Sequence, residues 1–136
     1  MNIKTVWQGK MKFASSNEDG LTLVMDAKKA VGGEGHGQSP KQLVLSGLAG
    51  CTGMDVISIL EKMRAMPKSF RIEVEAEQTE EHPKIFKKIH LKYIVKGDVP
   101  EDKLGKAIKL SQERYCGVSE MLRKSAELTY EYVYED

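Results

Sequence analysis

The stretch from Pro40 to Met66 limits what this chain can become more than any other. Ser39-Pro40 opens a helix: Ser39 can cap the first free N–H groups, and proline at the first helical position loses only a donor that has no partner there. Pro67 stops it. Between them Leu43, Val44, Leu45, Leu48, Met54, Val56, Ile57, Ile59 and Leu60 occupy almost every side. A helix apolar all round belongs at the centre of a fold, covered from several directions. Asp55, Glu61 and Lys62 read as too polar and too interrupting for a membrane span. Gly47, Gly50 and Gly53 each cost up to about 1 kcal/mol relative to alanine in a helix. Such a row predicts a close neighbour along the face near Cys51.

The flanking segments read as strands and short helices. Asn2 to Ala14 is strand-like, with Ile3, Val6, Trp7, Met11 and Phe13 punctuated by Gly9. Asn17-Glu18-Asp19-Gly20 is a turn, and Leu21 to Met25 is another strand of the same meander. Val31 to Pro40 is a loop with four glycines. Phe70 to Glu77 alternates strictly, and Ile85 to Val95 alternates again, with Ile89, Leu91, Tyr93 and Val95 opposed to Lys88, His90 and Lys92. His82-Pro83 joins these two runs into a hairpin. Pro100-Glu101-Asp102 starts a second helix that stops near Tyr115-Cys116-Gly117. A short helix, Val118 to Lys124, and a last strand, Leu128 to Tyr134, follow. This order predicts an α+β fold of antiparallel sheets with a central buried helix and helices grouped on one side. The first strands lie far from the later ones in sequence. They form a sheet of their own, which in a small protein can belong to a partner subunit.

Residues 1–136 suit one domain, long enough to bury a core without metal or disulfide staples. A net charge of +1 argues against a nucleic-acid protein. The N-terminus lacks the apolar core of a signal peptide, which predicts a cytoplasmic protein without a membrane role. In that compartment a disulfide would be transient and chemical rather than architectural.

Cys51 and Cys116 stand out from the scaffold. Cys51 lies in the glycine-rich part of the long helix. Cys116 precedes Gly117 at a helix start, where free amides favour a thiolate, and Arg114 is close in sequence. Cys51 alone reads first as a small core hydrophobe, and Cys116 alone reads as either a core residue or a reactive thiol. If both line one pocket, the chain is a thiol redox protein. Of the histidines, His36 sits in the glycine loop and could reach a site; His82 is a turn residue and His90 a strand residue. With the cysteines 65 positions apart and no close Cys/His pairing, no zinc motif is present. The glycine loop lacks the Gly-Lys-Ser/Thr of a phosphate loop, so no cofactor is implied.

Ser39-Pro-Lys-Gln-Leu-Val-Leu-Ser-Gly-Leu-Ala-Gly-Cys51-Thr-Gly-Met-Asp55-Val resembles the central-helix signature of the OsmC/Ohr family, and Tyr115-Cys116-Gly-Val-Ser-Glu-Met-Leu122 resembles its second cysteine motif. The nearest subgroup is the YhfA type. The resemblance implies an intertwined homodimer with active sites at the subunit interface, defending against oxidative stress. Cys51 would be the peroxidatic nucleophile and Cys116 the resolving thiol. A small hydrophobic peroxide would be the substrate and an external dithiol the reductant. Lys41, Gln42, Met54 and His36 are the expected pocket residues. That family's peroxidases hold the thiolate with an N-terminal arginine, oriented by a glutamate at the position Lys41 occupies here. This chain has no arginine before Arg64, which implies a less activated sulfur. The other reading is a non-catalytic binding protein that uses an interface pocket, and a third is a dimer module with inert cysteines.

Overall fold

The computed structural model describes residues 1–136 and divides into two compact units, 1–46 and 47–136. The architecture is α+β, with two three-stranded sheets and three α-helices.

In the first unit β1 (Ile3–Trp7), β2 (Phe13–Asn17) and β3 (Thr22–Met25) form an antiparallel meander. The strand-like run from Asn2 to Ala14 turns at Gly9-Lys10, both at positive φ, where Lys12 N–H closes back on the Gly9 carbonyl. At the next turn the Asn17 side chain accepts from the N–H groups of Asp19 and Leu21, both at 3.0 Å, as an Asx turn does. Directly opposed residues share a sheet face. Trp7 opposes Phe13, which opposes Met25, while Ile3 and Leu23 lie on the same side. Ile3, Trp7, Phe13 and Leu23 are all exposed.

The glycine loop is anchored rather than free. The buried Asp26 carboxylate accepts from the backbone N–H of Ala27, Glu34 and His36. A Cβ at Gly33 would overlap the Ala27 carbonyl and one at Gly37 the Val24 carbonyl, so the chain closes there only with glycine. Burial pushes the Asp26 carboxyl up, but the three N–H groups and the His36 charge outweigh it and hold it below the usual range. Stability from a depressed carboxyl is present above its unfolded pKa and is lost as pH falls through the folded one. Wild type is therefore expected to lose melting temperature on acidification more steeply than Asp26→Asn. Equal acid slopes in thermal melts of the two proteins would refute this role.

Helix α1 (Pro40–Lys62) starts in the first unit and continues through the second. Its start is the expected cap. The Ser39 hydroxyl accepts from Gln42 N–H at 3.3 Å, and Gln42 Oε1 accepts from Ser39 N–H at 2.9 Å. The helix ends at Lys62 rather than running on toward Pro67. Arg64 takes a left-handed φ of 55°, and Ala65 N–H bonds to the Leu60 carbonyl, a Schellman-type stop.

The second unit holds the sheet β4 (Ser69–Gln78), β5 (Phe86–Lys96) and β6 (Glu127–Tyr134), with β5 in the middle. Ile89, Leu91, Tyr93 and Val95 of β5 are buried, as their alternation predicts. β4 pairs antiparallel with β5, but β6 pairs parallel to it, which corrects the expectation of wholly antiparallel sheets. The connection after β5 carries α2 (Glu101–Leu110) and α3 (Gly117–Arg123). A helical crossover of that length returns the chain in the same direction.

α1 buries one stripe, Leu48, Thr52, Val56 and Leu60, a residue per turn. Its other apolar sides stay open, with Met54 at 76% exposure. Its own chain therefore does not supply the all-round cover expected of a central buried helix. Of the three glycines only Gly53 has a close neighbour, Ile72, whose Cδ1 lies 3.3 Å from where a Cβ would sit. By length and composition α1 could cross a membrane, contrary to the expectation that it is too polar. Its buried stripe instead faces β5, through Thr52 and Tyr93.

Candidate functional site: a thiol pair on a buried polar network

Cys51 projects from α1 and Cys116 is the residue that caps α3. Between α2 and α3 the helix widens into a π turn over Ser111–Tyr115, and Cys116 N–H bonds to the Ser111 carbonyl at 2.8 Å. Single π turns recur at functional sites. Here the turn leaves the neighbouring Ser111 and Gln112 both buried, with Cys116 directly after it. The two sulfurs and a carboxylate oxygen of Asp55 all lie within 4.8 Å of one another. Asp55 reaches the sulfurs because it stands one turn beyond Cys51 on the same helix face. Both cysteines are free thiols; Cys116 is buried and Cys51 half-buried.

Burial pushes the Cys116 thiol up. The hydroxyl and N–H of Ser119 pull it back, and the hydrogen bond and charge of Cys51 raise it again. Ser119 N–H donates to Cys116 Sγ at 3.4 Å. The balance leaves the Cys116 thiol above the usual cysteine range.

Beneath the pair runs a buried hydrogen-bond chain. Ser111 Oγ donates to Asp55 Oδ2 at 2.9 Å. Ser111 Oγ and Thr52 Oγ1 are 2.7 Å apart, and Thr52 Oγ1 and Tyr93 OH are 2.7 Å apart. Gln112 Nε2 donates to Tyr93 OH at 2.8 Å and to Thr52 Oγ1 at 3.2 Å. With Ser111 donating to Asp55, every other proton in the chain is assigned. Ser111 gives its proton to Asp55 and accepts from Thr52; Thr52 accepts from Tyr93; Tyr93 accepts from Gln112. Desolvation pushes the Tyr93 phenol up to about 12, against the pull of Thr52 and Gln112, so it stays a donor. Arg123 fixes the far end, donating to the Gln112 carbonyl at 2.9 Å and to its Oε1 at 3.1 Å.

The other expected pocket residues are described within their own units. Gln42 is engaged in the cap with Ser39. Lys41 occupies the first turn of α1, and His36 is held by its N–H on Asp26; all three belong to the first unit. Met54 borders an apolar cavity of about 430 Å³ with Gly50, Gly53, Ile57, Phe70 and Ile72. Arg114 borders a second cavity, of about 400 Å³, that reaches Cys116. Sequence reasoning missed Asp55, Thr52, Tyr93, Ser111 and Gln112. The one signal available was a carboxylate one turn beyond a cysteine in an otherwise apolar helix.

Two sheets, one long helix and two cysteines brought together from α1 and the cap of α3 define a thiol-pair protein of OsmC-like architecture. The family model for OsmC-like protein matches residues 33–131, and the chain belongs to that family. It is 33% identical over 133 residues to Protein YhfA of Escherichia coli K12, covering 97% of this chain and 96% of that one. Among solved structures it is similar to a protein of Aquifex aeolicus VF5, with 31% identity, a TM-score of 0.82 and coverage of 99% and 97%. It also shares its fold with the organic hydroperoxide resistance protein OhrB of Bacillus subtilis, with 18% identity, a TM-score of 0.69 and 98% of each chain covered.

Proposed function

We propose that this protein is a cytoplasmic, thiol-dependent reductant of organic hydroperoxides. The observation that carries this reading is the approach of the two sulfurs within 4.8 Å. The Cys51 thiolate attacks the terminal peroxide oxygen. The O–O bond breaks, an alkoxide leaves and is protonated to the alcohol, and Cys51 becomes a sulfenic acid. Cys116 then attacks that sulfur. Its proton and the departing hydroxide form water, and a disulfide near 2.05 Å closes with a local movement of the pair. An external dithiol returns both sulfurs to the reduced state. The apolar cavity beside Gly50 and Met54 suits a greasy substituent. That same cavity, which Cys51 does not line, favours the second reading, a non-catalytic binding protein. Rapid loss of two thiols per chain on adding cumene hydroperoxide is the expected result. Unchanged thiol content after prolonged exposure would leave the binding reading standing.

The working unit in this reading is a homodimer. The open face of β1–β3 and the open sides of α1 are two apolar surfaces that water should not keep. A stable interface of this kind buries roughly 2,000 Å² or more in total. Sedimentation at micromolar concentration is expected to give a dimer, and Trp7→Glu with Leu23→Glu should shift it toward monomer. A wild type that sediments as a monomer would end this part of the proposal.

A further inference from the structure

We propose that the reduced pair and Asp55 form a binding site for a thiophilic divalent cation of the zinc class. Cys51 Sγ, Cys116 Sγ and one Asp55 oxygen would be its ligands, with a fourth position open. This goes beyond hydroperoxide chemistry and holds whether or not Cys51 reacts with a peroxide.

Three observations carry it. The first is geometry. Zinc–sulfur bonds near 2.3 Å and zinc–oxygen bonds of about 2.0–2.2 Å place tetrahedral ligand atoms roughly 3.3–3.8 Å apart. Three donor atoms mutually within 4.8 Å need only small side-chain adjustments to reach that. The second is the donor set: two sulfurs and one carboxylate select a soft or borderline ion over magnesium or calcium.

The third is the shell around the ligands. Ser111 Oγ holds Asp55 through Oδ2, the kind of outer hydrogen bond that orients a metal-binding carboxylate. Ser119 N–H donates to Cys116 Sγ. The Ser119 hydroxyl is fully buried within reach of that sulfur but makes no hydrogen bond of good geometry. A buried donor so poorly engaged needs a reason. A neutral thiol is a poor acceptor, whereas a metal-bound thiolate is a good one and would engage it. Cys51 and Asp55 are only half-buried, so the ligand set is not sealed off within its own chain. The disulfide form has no thiolates to offer, so ion binding and the disulfide exclude each other.

The test uses the full chain, reduced and handled without oxygen, titrated with Cd²⁺ and followed by the sulfur-to-cadmium charge-transfer absorbance. Zn²⁺ affinity is read by competition with a chromophoric chelator. One ion per chain is expected, and none for protein oxidised to the disulfide with diamide. Asp55→Asn should weaken binding tenfold or more, and Ser111→Ala by on the order of tenfold. Circular dichroism establishes that each variant is folded. Should Asp55→Asn not fold, cadmium NMR of the wild type replaces it, since its shift distinguishes sulfur-plus-oxygen from sulfur-only ligation. Affinity within twofold of wild type in Asp55→Asn, a sulfur-only cadmium shift, or full binding by Cys116→Ser would overturn the three-ligand site.

Discussion

Replacing Cys51 by serine is expected to abolish hydroperoxide turnover, a loss on the order of a thousandfold or more, because a hydroxyl is a far weaker nucleophile than a thiolate. Replacing Cys116 by serine should behave differently. The first step needs only Cys51, so one equivalent of hydroperoxide is still consumed. The sulfenic acid then has no partner and accumulates, open to trapping by dimedone. Turnover with a dithiol reductant should fall sharply in this variant while the single-turnover burst survives. The asymmetry follows from the site. Cys116 is buried, and that burial pushes its thiol up, whereas Cys51 is half-buried. The proposed function fails if Cys51→Ser turns over normally. It fails also if Cys116, and not Cys51, carries the dimedone adduct.

The first arginine of the chain is Arg64, so the N-terminal arginine implied by the resemblance has no counterpart here. What the structure places beside the sulfurs is the carboxylate of Asp55. A carboxylate repels a thiolate where a guanidinium would hold it. Slow reduction of hydroperoxides at neutral pH is therefore the expected rate, and the same negative charge is what makes a cation welcome at the pair.

Much of the scaffold could be read from residue order. Ser39-Pro40 marked the helix start to the residue, because capping is a local matter settled by a few neighbouring groups. The alternation of Ile89 to Val95 marked the buried face of β5 for the same reason. Strand direction was not legible. Periodicity reports which face of a strand is apolar and says nothing of the partner's sense, so β6 was expected antiparallel. The length of the helical crossover after β5 was the overlooked clue. The helix end also escaped, since an arginine at a left-handed φ carries no sequence mark. The thiol pair was legible through its two motifs, while the polar chain beneath it was not. Thr52 sits in an apolar run and Gln112 among other polar residues of a helix. Only the fold shows that both face Tyr93.

That hidden chain sets the second large effect, on stability. Thr52→Val is expected to cost about 2–4 kcal/mol of unfolding free energy. The two side chains have nearly the same volume, so no cavity opens and the loss is one of hydrogen bonding. In wild type the Thr52 hydroxyl accepts from Tyr93 and Gln112 and donates to Ser111. Valine removes all three contacts in a region where these groups are buried. Gln112 still reaches Tyr93 OH, but the Tyr93 proton then has no acceptor and Ser111 loses its donor. Each buried group left unsatisfied costs roughly 1–3 kcal/mol. Tyr93→Phe should cost less than the sum of these terms, since Thr52 still donates to Ser111 and accepts from Gln112. The double variant Thr52→Val/Tyr93→Phe removes the orphaned phenol and should recover on the order of 1 kcal/mol relative to additivity. Urea titrations of the four proteins measure both quantities. A Thr52→Val loss below about 1 kcal/mol, or strict additivity in the cycle, would mean that the four side chains do not act as one directed chain. Asp55 would then owe its place beside the sulfurs to α1 alone, and Ser111→Ala would leave the thiol site unmoved.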